Sequence, residues 1–284
     1  MEYSLKSLVT RAENIGIAEA ARLGEMKNSG MSREEIDGRM MEALSVMRQS
    51  AEKGFDPKLR SMSGMTGGQA ARMLAAVQSG NTAGGNYLGR AAARALAIAE
   101  CNAAMGKIVA APTAGACGIL PAALLTAQEE FSLSDEKLRD ALLVAAAVGE
   151  VIANRASISG AQGGCQAECG SAAAMAAAAL VFLRGGTPSQ SADACAFALM
   201  NVMGLVCDPV RGLVEVPCVY RNASGAAGAF VAADLALAGI PCPLPPDEVI
   251  DAMKAVGELL PASLRETGEG GCAACPTACG RPRE

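Results

Sequence analysis

Eleven cysteines and no histidine define the chemistry open to this chain of 284 residues. Without histidine the commonest general base and the commonest zinc ligand are missing. Ser-His-Asp and Cys-His catalysis within the chain are excluded. A metal bound here would rest on thiolate or oxygen ligands. The cysteines differ in context. Cys101, Cys195 and Cys242 lie in helical or proline-flanked apolar stretches and read as small packing residues. Cys117 lies in a loop with no obvious partner. Cys165 and Cys169 are one helical turn apart and can face one ligand, a spacing that chance also produces often. Cys207 precedes Asp208-Pro209 and Cys218 follows Val216-Pro217. Each is pinned by a proline on an irregular segment, which suits a rigid ligand better than a core filler. By spacing alone, Cys165, Cys207 and Cys218 do not form a compact cluster motif. The run Cys272-Ala-Ala-Cys275-Pro-Thr-Ala-Cys279 is denser. It fits a short metal-binding sequence and, ending in Arg281-Pro-Arg-Glu, fits a solvated tail equally well.

Three Gly/Pro-rich loops could present chemistry: 107–118, 157–165 and 204–222. Backbone N–H groups in such elbows lack helical partners and can face a ligand. Pro112-Thr113-Ala114-Gly115-Ala116-Cys117-Gly118 opens onto a helix, a cradle suited to a carboxylate or phosphate. Ser157-Ile158-Ser159-Gly160 offers two hydroxyls beside a glycine. On spacing alone the plainer reading, tight helix–helix connections, is favoured.

The elements that would carry these loops are helical. Half the residues are apolar, alanine is abundant, and aromatics make up only 3%. Alanine has the best helix propensity, and the β-branched and aromatic residues that sheets favour are few. The expectation is an all-α fold: a compact helical domain with Gly/Pro-rich loops converging on one site, plus a small N-terminal helical lobe. Residues 1–53 read as that lobe, with two amphipathic helices. Ser32 and Glu35 suggest a capping box, and Ile36, Met40, Leu44 and Met47 recur at helical spacing. Residues 54–89 form a turn-rich connecting segment, 90–266 a helical catalytic domain, and 267–284 a mobile Cys/Gly-rich tail. Thr187-Pro188-Ser189-Gln190 marks another helix start. Residues 204–222, with two prolines, read as loop.

Several partners are excluded. The formal charge of −5 and the lack of a basic stripe argue against nucleic acid. The start, Met1-Glu2-Tyr3-Ser4-Leu5-Lys6, lacks a signal-peptide layout. The longest apolar stretch, about Ala172 to Leu183, is short of the ~20 residues that span a bilayer and reads as a buried helix. No membrane partner is expected, the location is read as cytoplasmic, and disulfides are not expected there.

The loops themselves resemble a known family. Gly106-Lys-Ile-Val-Ala-Ala-Pro-Thr-Ala-Gly-Ala-Cys-Gly-Ile-Leu-Pro121 is similar to the first signature of the α domain of iron–sulfur L-serine dehydratases. Ser157-Ile-Ser-Gly-Ala-Gln-Gly-Gly-Cys-Gln-Ala-Glu-Cys-Gly-Ser171 resembles the second. Gly204-Leu-Val-Cys-Asp-Pro-Val-Arg-Gly-Leu-Val-Glu-Val-Pro-Cys-Val-Tyr-Arg-Asn222 resembles the third. Ser63-Gly-Met-Thr-Gly-Gly68 and Arg265-Glu-Thr-Gly-Glu-Gly-Gly271 also fit the family, so the likeness covers nearly the whole chain.

This resemblance implies a [4Fe–4S] cluster held by Cys165, Cys207 and Cys218. Three thiolates leave one iron open as a Lewis acid. That iron would bind the hydroxyl and carboxylate of L-serine, and β-elimination would give pyruvate and ammonia without pyridoxal phosphate. Thr113, Ser157 and Ser159 are the candidate substrate contacts by loop chemistry, with backbone N–H groups near Gly115 and Gly163. The family carries a second, β region that this chain lacks. The resemblance therefore implies a β subunit as partner, a histidine base supplied by it, and a higher oligomer. Lys107 is the weaker alternative, since an unperturbed lysine is protonated at neutral pH. Three rivals stand beside this reading. One is an L-cysteine desulfidase-like lyase on the same fold, and another a cluster-carrying subunit inactive without its β partner. The last is a zinc or redox protein built on the Cys272–Cys279 tail.

Overall fold

Side-chain caps written into the sequence fix the starts of several long helices. The Ser32 hydroxyl accepts from the Glu35 amide, and the Glu35 carboxylate accepts from the Ser32 amide. This reciprocal box satisfies N–H groups that a helix start otherwise leaves unpaired. Thr187 and Gln190 form the same box ahead of Pro188, and Ser134 caps through the Lys137 amide. The computed structural model describes residues 3–280. Arg281-Pro-Arg-Glu, the end of the expected 267–284 tail, lies outside the described residues. The α-helices, in order, are α1 Leu5–Ala12, α2 Ile17–Ser29, α3 Arg33–Gly54, α4 Gln69–Gln78, α5 Gly85–Ala103 and α6 Ile119–Phe131. They continue as α7 Asp135–Arg155, α8 Gly160–Gly163, α9 Ser171–Leu183, α10 Pro188–Met200, α11 Cys218–Leu237 and α12 Pro246–Leu259. No strand occurs among the described residues, so the fold is all-α as expected.

Helix α9 is the hub. It packs against α6, α7, α10 and α11. Its sequence is nearly all alanine and larger apolar residues, and all but Phe182 are buried. Small side chains on every face let neighbouring helices approach from all around. A π-helical turn, Gln166–Gly170, runs directly into α9. The continuous segment Gln166–Leu183 is 18 residues long, which makes it long and apolar enough to cross a membrane, but 89% of it is buried inside the fold. The sequence expectation that this stretch falls short of spanning length is corrected, because the π turn extends the helix. Burial on every side is what marks it as a core helix.

The N-terminal helices join the same core. Leu5, Leu8, Ile17 and Leu44 belong to the apolar cluster that contains α9 and reaches Met253 on α12. Arg22 on α2 is buried and pairs with Glu19, with Asp37 on α3 and with Asp140 on α7. One guanidinium thereby fastens three helices, and each carboxylate offsets part of the cost of burying it.

Helix boundaries depart from the sequence reading in three places. Residues 1–53 hold three helices, because Gly16 breaks α1 from α2 at a left-handed φ of 80°. The connecting segment contains α4, whose start is capped from afar: the Glu100 carboxylate accepts from the Gly68, Gln69 and Ala70 amides. Helix α11 begins at Cys218, so Cys218, Arg221 and Asn222 are helical rather than loop. Pro217 precedes its first turn, where a missing N–H does no harm.

Candidate functional site

The three Gly/Pro-rich loops meet below the N-terminal end of α9. Cys165 sits just before the π turn, Cys207 on the third loop, and Cys218 at the first residue of α11. Cys165 and Cys207 are buried and Cys218 half-buried, and all three are free thiols. They share one electrostatic neighbourhood. Burial pushes the Cys207 thiol up, and Glu168, Cys165 and Cys218 each add to the shift. Burial likewise pushes Cys218 up to about 12, with Cys165 and Glu168 contributing. A helix N-terminus ordinarily lowers a thiol pKa; at Cys218 desolvation wins. Cys165 goes the other way. The Cys169 sulfur lies 3.3 Å from the Cys165 sulfur. Its hydrogen bond, with help from the Arg221 guanidinium, favours the Cys165 thiolate.

Glu168 stands at the centre of this neighbourhood. Its Oε1 accepts from the Thr113 hydroxyl at 2.9 Å, and its Oε2 lies 3.9 Å from the Cys207 sulfur. Burial raises its pKa, the Thr113 hydrogen bond opposes the rise, and Glu266 adds to it. Gly160 is the point of closest approach. A Cβ there would lie 2.7 Å from Glu168 Oε2 and 2.8 Å from the Cys207 sulfur. A Cβ on Gly115 would stand 3.4 Å from Glu168 Oε1. The first and second loops thus close on one carboxylate and one thiol, and only glycine fits at Gly160.

A set of buried polar residues holds the loops in place. Asn222, fully buried, donates to the Gly115 and Cys218 carbonyls and accepts from the Gly118 amide, so it ties the first loop to α11. Arg221 donates to the Val206 carbonyl and pairs with Asp208 at 2.8 Å. Glu215, also buried, accepts from the Ser63 and Thr66 hydroxyls, which draws the 61–68 turn onto the third loop. Gln166 accepts from the Gly204 amide and donates to the Met253 carbonyl. The C-terminal segment straps the far side. The Cys207 amide donates to the Leu264 carbonyl, the Glu266 amide to the Cys207 carbonyl, and the Cys272 amide to Asp208 Oδ2. Cys275 and Cys279 are exposed.

The expected substrate contacts divide. Thr113 is joined to Glu168. The Ser157 hydroxyl donates to Gln162 Oε1 and accepts from the Ser159 amide. Ser157 lines a cavity of about 320 Å³ with Gln162, Lys254 and Arg265. Ser159 directly precedes Gly160, beside Glu168 and Cys207. The Gly163 amide donates to the Ser159 carbonyl, so it is occupied within its own loop. Glu168, Arg221, Asn222 and Glu215 were not singled out by sequence reasoning. The available signal was Glu168 itself, a carboxylate three residues beyond Cys165 in an otherwise uncharged stretch.

The family model for the serine dehydratase α chain matches residues 12–273. The chain belongs to this family. It is 49% identical over 269 residues to a probable L-serine dehydratase α chain of Bacillus subtilis, covering 95% of this chain and 89% of that one. It is 47% identical over 253 residues to the L-serine dehydratase α chain of Peptoniphilus asaccharolyticus, covering 89% and 87%. L-serine dehydratase 2 of Escherichia coli is 46% identical over 188 residues, which are 65% of this chain but only 41% of that longer protein. Within this α-chain family, all three motif loops fall inside the matched span.

The donor set was weighed against the two kinds of metal centre. Among the described residues no three His, Cys, Asp or Glu gather closely enough to hold a single ion. The same is true of Cys272, Cys275 and Cys279. A cluster differs, because its thiolates bind separate irons and need not converge on one point. Three free thiols, one from the second loop and two from the third loop and the start of α11, with the Arg221 cation beside Cys165 to balance negative charge, fit such a group.

Proposed function

We propose that this chain is the α subunit of an L-serine dehydratase that eliminates water from L-serine to give pyruvate and ammonia. The observation that supports this most is the meeting of the three motif loops, far apart in sequence, around Glu168 and Cys207. Cys165, Cys207 and Cys218 would hold a [4Fe–4S] cluster, which when bound supplies an open Lewis-acid iron.

The chain's own residues account for the rest. Thr113 and Glu168 present a hydroxyl and a carboxylate to the space between the first and second loops. Burial raises the Glu168 pKa, so this carboxyl can hold a proton at Oε2 closer to neutral pH than an ordinary glutamate. That proton would serve the departing hydroxyl. Ser159, next to Gly160, would contact the substrate's polar groups. Asn222 and Arg221 keep the loops from spreading. The base that takes the Cα proton is assigned to a β subunit.

Anaerobic iron and sulfide quantification, followed by a serine assay with and without a candidate β chain, tests the proposal. Cys207→Ala should abolish the cluster's visible absorbance and the activity together. Full retention of both would remove Cys207 from the site.

A further inference from the structure

We propose that Cys165 and Cys169 are a redox-sensitive pair that closes to a disulfide when the chain carries no iron. Their sulfurs are 3.3 Å apart, and both residues are buried. They lie four residues apart across the π turn Gln166–Gly170. Residues so spaced on a helix have Cα atoms about 6 Å apart, inside the roughly 4.4–6.8 Å range of natural disulfides. Bond formation brings the sulfurs to about 2.05 Å, an approach of little more than an ångström. Side-chain rotation together with a small adjustment of the π turn would supply it.

A second observation gives the oxidant its route. Cys169 lines a cavity of about 520 Å³ between the end of α10 and α11, together with Asn201, Met203, Gly204, Arg221 and Ser224. A peroxide would approach the pair from this side. The Cys165 sulfur attacks one peroxide oxygen, the O–O bond breaks, and the Cys165 proton leaves with the released oxygen as water. This yields a sulfenic acid on Cys165. The Cys169 sulfur, 3.3 Å away, then displaces the sulfenic hydroxyl, the S–S bond forms, and a second water carries away the Cys169 proton. The pair loses two electrons and the peroxide accepts them.

The consequence rests on the proposed function. A Cys165 sulfur held in a disulfide cannot bind iron, so oxidation of the iron-free chain blocks cluster assembly until a dithiol reopens it.

The test uses the full iron-free chain, treated with hydrogen peroxide, alkylated and digested with trypsin. Cleavage after Arg155 and Arg184 releases one fragment holding both cysteines. The expected result is an unalkylated fragment about 2 Da lighter than the dithiol form. Two alkylated cysteines, or a sulfinic acid on either one, would overturn the pair. Cys169→Ser, checked for helical circular dichroism, should lose the mass signature. If that variant does not fold, the wild-type map alone decides. Iron and sulfide uptake by the oxidised chain should be lost and return with dithiothreitol. A disulfide-bearing chain that still assembles its cluster would instead count against Cys165 as an iron ligand and leave the disulfide standing.

Discussion

The Thr113 hydroxyl donates a hydrogen bond to Glu168 across two loops that are more than fifty residues apart in sequence, at 2.9 Å. It is the direct polar link between the first and second motifs. It also opposes the rise that burial imposes on the Glu168 pKa. Thr113→Val should remove a hydrogen bond to an ionisable group, an interaction worth roughly 1.5–3 kcal/mol. Serine kcat/KM should fall by about 10- to 100-fold. Thr113→Ser should keep most of the activity. Steady-state kinetics of both variants, assayed with a candidate β chain, would show whether the hydroxyl or only the side-chain volume matters.

Gly160→Ala places a methyl where Glu168 Oε2 and the Cys207 sulfur already stand, at 2.7 and 2.8 Å. Neither neighbour can retreat easily, since Glu168 is held by Thr113 and Cys207 by Leu264 and Glu266. Reconstituted iron content and activity should both fall severely while helical circular dichroism stays unchanged. Wild-type iron content in this variant would show that the second loop does not press on the third in solution.

Asn222 satisfies two carbonyls and one amide in a fully buried position. Asn222→Ala leaves the Gly115 carbonyl and the Gly118 amide without this partner, while the Cys218 carbonyl keeps its bond within α11, at a cost of roughly 1–3 kcal/mol for each unsatisfied group. Thermal melting of the iron-free chain should shift down by several degrees. Asn222→Asp should recover part of the loss, because it still accepts from Gly118 but cannot donate to Gly115. A melt identical to wild type would mean the first loop is anchored by other contacts.

Glu19 provides the pH dependence. Its hydrogen bond to Arg33 is the largest influence and, with Arg22, holds the carboxyl at about 2 against an ordinary 4.5. A folded pKa below the unfolded one stabilises the fold above the unfolded value, and the benefit is lost as pH falls from 4.5 through about 2. Glu19 is 29% exposed, so solvent screens part of the effect. Urea titrations should show Glu19→Gln less stable than wild type at neutral pH. The difference should shrink across that acid window. A constant difference at every pH would separate Glu19 from acid unfolding.

The all-α class was legible because it rests on composition and on local signals. Ser32-to-Glu35 and Thr187-to-Gln190 write helix starts directly into the chain, and the structure uses both. Helix α4 was not legible, because its cap comes from Glu100, more than thirty residues away. The start of α11 was hidden behind Pro217 for a related reason: a proline ends one helix and can equally open another. The same divide runs through the candidate site. The loops announce themselves by glycine and proline, but their meeting depends on Asn222, Arg221 and Glu215, which bond to residues distant in sequence. Glu168 was visible as a lone charge in an apolar stretch, yet its contact with Thr113 exists only after folding.

The backbone pairing of Cys207 with Leu264 and Glu266 has a temporal side. A ribosome makes Cys207 well before it makes Leu264. While the chain is growing, the third loop therefore lacks the neighbour that fixes its shape. Delivery of the proposed cluster should follow release of residues near 266 rather than accompany synthesis of the cysteines themselves. A truncation just upstream of Leu264 would retain Cys165, Cys207 and Cys218 and still leave Cys207 without its lock.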